Sequence, residues 1–272
     1  MSQIAKPFSI EGFKYKYMAY GDGAKALIKN ATMKFSHASE FNDPFDCFPS
    51  YSNSSIKNVI KSNPKLYKKV GESLGLSPAE RIRQKGKMLK RLEESVSSGK
   101  FVESLRQDIG ICSMTPKPCN LLMWAHYGDK HKGIAAEFSN EIPVLASDSA
   151  KYLFAFHVDY KDKKPVQDIS NPDFITDLLV KGSDWEYENE IRVLDHDRGH
   201  GIHPYERRLL SSIILGVKFE ESLKKEIQEL VNDVNELHGT SIKIYQAVMV
   251  PNEFKVYIPE HPIYGDPSWK QA

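Results

Sequence analysis

The stretch Ser183 to Leu194, S-D-W-E-Y-E-N-E-I-R-V-L, carries the densest set of side chains able to do chemistry. Read as a strand, its alternation sends Glu186, Glu188, Glu190 and Arg192 to one face and leaves Tyr187, Ile191 and Val193 on or beside the apolar one. Carboxylates at that spacing repel one another. A fold that keeps them must solvate them, pair them with Arg or Lys, or use them as a general base or a stabiliser of developing positive charge. An edge strand whose polar face meets water is the plain alternative. A second polar concentration is F-N-D-P-F-D-C-F, Phe41 to Phe48. Pro44 holds Asp43 extended, and Asn42 and Asp43 favour bonds to nearby backbone, which predicts a rigid turn. Asp43 and Asp46 either cap that turn or the next helix, or point into a site. With Glu188, Glu190 and Lys16 or Lys218 they also contain the side-chain types of a metal-dependent nuclease. The run His196 to His203 matches no standard zinc spacing, and no metal site is predicted from it.

These groups need elements to hold them. Phe13 to Met18 alternates aromatics with lysines and predicts a first strand, followed by a helix over 24–30 and a strand over 32–36. Residues 52–108 turn lysine-rich and helical, with a start at Ser77-Pro78-Ala79-Glu80, and form a basic helical insertion. The run Arg81, Arg83, Lys85, Lys87, Lys90 and Arg91 is either a solvated face or a contact for nucleic acid or an acidic partner. Ile109 to Met114 predicts a buried strand, and Asn120 caps a short helix over L-L-M-W-A-H-Y that Gly128 ends in a left-handed conformation. On that helix Trp124, His126 and Tyr127 are core residues by default. Further strands are expected over 133–138, 152–160 and 211–217, with a helix over 173–181. A helix over 220–238, stopped by Gly239, and strands over 242–250 and 254–258 follow.

The composition sets limits. At 272 residues, 37 basic and 36 acidic side chains leave a net charge of +1, so total charge predicts no strong attraction to nucleic acid or acidic membrane. No apolar run approaches the roughly 20 residues that span a bilayer. Three cysteines without metal-type pairing, and an N-terminal stretch without a secretory apolar core, predict a reduced cytoplasmic protein. One α+β domain over 1–272 is expected, with mixed, mainly antiparallel sheets and flanking helices. A Walker-type loop, a G-x-G-x-x-G turn between strand and helix, and a G-x-S-x-G elbow are all missing, which removes kinase, Rossmann and serine-hydrolase readings.

The motifs N-D-P-F-D, M-W-A-H-Y-G-D-K-H-K-G and W-E-Y-E-N-E-I-R, in that order, resemble a large bacterial family catalogued as a domain of unknown function and met beside defence and toxin-antitoxin genes. The likeness runs from K-Y-K-Y around Tyr15 to I-I-L-G-V at Ile213 and skips 52–108. Glu188-Asn189-Glu190 followed by an apolar strand is similar to the glutamate motif of mono-ADP-ribosyltransferases. That second resemblance implies an ADP-ribosyltransferase-like fold with NAD as substrate. Glu190 would stabilise an oxocarbenium-like ribose, and Glu188 would orient the acceptor or take its proton. Tyr17, Trp124 and Tyr127 would shape the nicotinamide pocket, with Tyr15 on the early strand and Ser113 on the middle one. Asn42, Asp43, His126 and Arg192 would fix polar groups around it. The chain departs from the pattern where Tyr15-Lys16-Tyr17 replaces an early His or Arg, and where Ser113-x-Thr115 stands for Ser-Thr-Ser.

The expected function is therefore an NAD-dependent toxin or phage-defence effector that modifies RNA, DNA or protein, with an antitoxin or chaperone as its neutralising partner. The first alternative is a non-catalytic binding or sensor module in which the same polar groups form a buried hydrogen-bond network. The second is the metal-dependent nuclease.

Overall fold

The computed structural model describes residues 12–52, 54–56, 58, 63–100, 103, 109–139, 153–169, 171 and 173–269. The chain is α+β, with several mainly antiparallel sheets, and its contacts divide into two compact units. The first unit takes the described parts of 1–36, 110–158 and 184–272, and the second those of 37–109 and 159–183.

The first unit is built on a four-stranded sheet in the order Lys14–Met18, Ile134–Phe138, Leu210–Leu215, Lys243–Gln246. Neighbours are antiparallel except the last pair, whose parallel pairing follows from the connecting helix Glu221–His238. That helix and Asp22–Asn30 cover one face, where Leu27, Ile28, Ile227 and Val231 meet Ile134, Ala136 and Ile213. The other face carries Tyr15, Tyr17, Ala135, Ile214 and Tyr245 under Trp124, Val256 and Ile258. Burial on both faces explains why all five residues of Ile134–Phe138 are buried. A second sheet places Ile191–Asp195 between Gly110–Met114 and Phe154–His157, antiparallel to both.

One polar row crosses the apolar face. Tyr15 and Ser212 lie opposite Glu137 in register, and both hydroxyls donate to its carboxylate, at 2.9 and 2.5 Å. His261 Nε2 lies 2.9 Å from the same carboxylate, while its Nδ1 accepts the backbone N–H groups of Ile263 and Tyr264, which puts the ring proton on Nε2. Burial alone would raise the Glu137 pKa, but the bonds from His261, Ser212 and Tyr15 outweigh it and hold the carboxyl below its ordinary value.

The second unit contains helices Pro64–Ser73, Pro78–Arg83 and Lys85–Ser97 from the basic segment. Ser77 and Glu80 form the expected capping box at the start of the second helix. Leu92 packs with Ile56 and Ile169, and Arg83, Lys85, Lys87, Lys90 and Arg91 are exposed. Two short parallel pairings, Ser50–Tyr51 with Val166–Gln167 and Asp159–Lys161 with Val180–Gly182, complete its described strands.

Two expectations about local structure are corrected. The glutamate segment is not one strand: Ser183–Glu188 is a 3-10 helix, Asn189 turns left-handed at φ 44°, and the strand starts only at Ile191. Nor is that strand an edge, since it is the middle of three. Period-two spacing of Glu186, Glu188 and Glu190 therefore crosses a conformational break, and the three do not share a strand face. Gly128 also does not adopt the left-handed turn expected of it. Asp129, Lys130 and His131 do, at φ 48°, 55° and 70°. Gly128 is required for space, because a Cβ there would stand 2.6 Å from the Trp124 ring.

Among the described residues no helix is long and apolar enough to cross a membrane.

Candidate functional site

Asn120 starts the assembly. Its Oδ1 accepts the N–H groups of Leu122 and Met123, capping helix Leu121–His126, and its Nδ2 donates to the Tyr187 carbonyl at 2.7 Å. One amide thus fixes both the helix and the glutamate turn 67 residues later. The helix presents His126 at the surface, where Nδ1 lies 2.7 Å from the Tyr187 hydroxyl. His126, Trp185 and Tyr187 pack edge-on or tilted with ring centres 5.7 to 6.4 Å apart, and Tyr127 stands 6.2 Å from His126. These spacings suit favourable aromatic contact.

Both carboxylates beside the Asn189 turn are buried. Glu188 is 3 % exposed and accepts the Tyr127 hydroxyl at 2.5 Å. Glu190 is 5 % exposed, and both its oxygens are held by Arg192, Nε and Nη2 each at 2.9 Å. Arg192 itself is fully buried, a bidentate geometry that neutralises the charge of both partners. Across the sheet Arg192 faces Ser113, whose carbonyl accepts Lys16 Nζ at 3.2 Å. Beside them the Cys112 thiol is pushed up by burial and by Glu190 and drawn down by Lys16, with burial dominant.

The remaining expected residues are divided between the first unit and the second. Trp124 is fully buried, donates to the Pro118 carbonyl at 2.8 Å, and meets Tyr17 edge-on at 4.9 Å. The Tyr17 hydroxyl donates to the Lys117 carbonyl, and burial raises its pKa far above the ordinary value. Tyr15 is engaged with Glu137, and burial raises its pKa as well. Asn42 and Asp43 belong to the second unit, where Asp43 Oδ1 accepts the Phe45 N–H at 2.9 Å and so caps the rigid turn. In that unit Asp46 pairs with buried Lys181 at 3.6 Å.

In the sequence Asn120 reads only as a cap, and Trp185, Glu137 and His261 carry no expected role. The W-x-Y spacing at Trp185 and Tyr187 was the available signal for the aromatic group. The Glu137 and His261 partnership spans 124 residues and leaves no local trace. Among the described residues no three His, Cys, Asp or Glu side chains gather so as to hold a metal ion.

Residues 123–193 match a family described as "Protein of unknown function (DUF2971)". That span contains His126, Tyr127, the 3-10 helix and the first three residues of the Ile191 strand, so it covers most of the residues that build this site, while the capping Asn120 lies just before it. No curated protein matches the chain, and no solved structure does.

Proposed function

We propose that the first unit is a non-catalytic recognition module that takes a cationic group on the face formed by His126, Tyr127, Trp185 and Tyr187. What supports this reading most is the state of Glu190: both carboxylate oxygens are held by a fully buried arginine. A carboxylate so occupied is a structural anion, and its pairing braces the turn that carries the rings. The ligand class follows from the surface. Electron-rich ring faces attract a guanidinium or ammonium, and the exposed Asp184 and Glu186 on the same 3-10 helix add negative charge beside them. Calorimetric titration with an arginine-rich peptide tests the reading. Saturable binding that weakens with salt and is lost in Trp185→Ala is expected. Equal binding by wild type and Trp185→Ala overturns it.

The NAD-dependent transferase, as a toxin or phage-defence effector acting on nucleic acid or protein, is the second reading. It is favoured by one observation: Glu188 and Glu190 flank a left-handed Asn189 directly before a strand, beside an aromatic group. It requires Arg192 to release Glu190 when substrate binds. Incubation with NAD and cell lysate decides it. Nicotinamide release abolished by Glu190→Gln supports the transferase, and its absence in the wild type removes it.

A further inference from the structure

The polar row on the four-stranded sheet opens at one end into a pocket of about 490 Å³, within the size range of small-molecule sites. It lies apart from the aromatic face: none of His126, Tyr127, Trp185 or Tyr187 lines it. Its floor is Glu137, Ser212 and His261, all at least nine-tenths buried and bonded to one another. Lys243 stands in register with Ser212 on the neighbouring strand and, with Arg208, gives the wall two cations. Tyr245, Phe13, Leu210 and Pro262 supply apolar surface, and the hydroxyl residues Ser211, Thr240 and Ser241 also line the space.

We propose that this pocket binds a small phosphorylated sugar, with the phosphate against Lys243 and Arg208 and the sugar hydroxyls toward Glu137 and Ser212. The division of labour follows from charge. Arg208 already engages Glu206, so its attraction for an anion is partly spent and Lys243 is the main anchor. A phosphate alone would meet the Glu137 carboxylate across the same small space and be repelled. A neutral sugar alone would leave Lys243 without a counter-charge. Only a ligand with an anion at one end and hydroxyl donors at the other satisfies both ends of the row. Oε2 of Glu137 accepts Ser212, and a carboxylate oxygen has room for a second donor.

The test is calorimetric titration of the full chain with ribose 5-phosphate, inorganic phosphate and ribose as probes. Ribose 5-phosphate is expected to saturate the protein, with both fragments binding at least about tenfold more weakly. In Lys243→Gln, an exposed position whose melting curve should match wild type, its affinity is expected to fall about tenfold or more. Arg208→Gln should lose less. Trp185→Ala, which removes the recognition face, should leave this binding unchanged, so the two sites fail or stand separately. Absence of saturable heat with ribose 5-phosphate overturns the proposal. So does phosphate binding as tightly as the sugar phosphate, or an unaltered affinity in Lys243→Gln.

Discussion

At the residue scale the Glu190 and Arg192 pair decides how the site is to be read. Removing one partner strands a buried charge, so Arg192→Ala should cost about 3–5 kcal/mol in denaturant titrations. The double change Glu190→Leu with Arg192→Met removes both members of this pair together and should cost less than Arg192→Ala alone. If the single and double changes cost the same, the pair is not acting as one unit. Tyr127→Phe deletes a hydrogen bond to a buried carboxylate and should cost about 1.5–3 kcal/mol in the same titration. Glu188, Glu190 and Arg192 were legible as a polar constellation because their side-chain types are costly to bury. Which of them would be paired was not, because pairing depends on where the chain bends, and Asn189 at φ 44° is where it bends.

At the element scale the loop after the His126 helix is a strained part of the matched region. Three consecutive non-glycine residues are left-handed there, at about 1–2 kcal/mol each for an ordinary side chain. Backbone bonds from His131 to Trp124, from Gly133 to Gly128 and from Lys218 to His131 hold them in place. Lys130→Gly, at an exposed position, should therefore raise stability by about 0.5 kcal/mol or more, once glycine's greater freedom in the unfolded chain is counted. Gly133→Ala should do the reverse, because its Cβ would fall 2.2 Å from the Met18 carbonyl on fixed backbone. Unfolding curves of the two variants should move to opposite sides of wild type. Caps were the most legible features: Ser77, Asn120 and Gly239 all stop or start helices as local rules predict. The 3-10 helix was not, since two-residue spacing of glutamates reads as a strand until a residue between them turns.

At the scale of the whole molecule, buried titratable groups set the response to acid and to thiol reagents. Glu137 has a folded pKa below its ordinary 4.5, so it contributes stability that is fully present above pH 4.5 and is lost as pH falls through the lower folded value. The melting-temperature advantage of wild type over Glu137→Gln should be constant above that point and shrink below it. None of the three cysteines is in a disulfide and all are buried, and burial drives the Cys119 thiol up to about 12. A thiol-reactive disulfide should therefore label the native protein very slowly at neutral pH and all three thiols after denaturation. The α+β class and the strand-helix-strand unit near the end followed from periodicity, while the sheet order did not, because its strands come from three distant stretches of chain. That order has a consequence during synthesis. Strand Ile134–Phe138 takes Leu210–Leu215 as its second neighbour, so a nascent chain shorter than about 210 residues would leave the ribosome with an open, apolar ladder edge. Chaperone capture of the growing polypeptide should be strongest in that window and fall once Leu215 emerges.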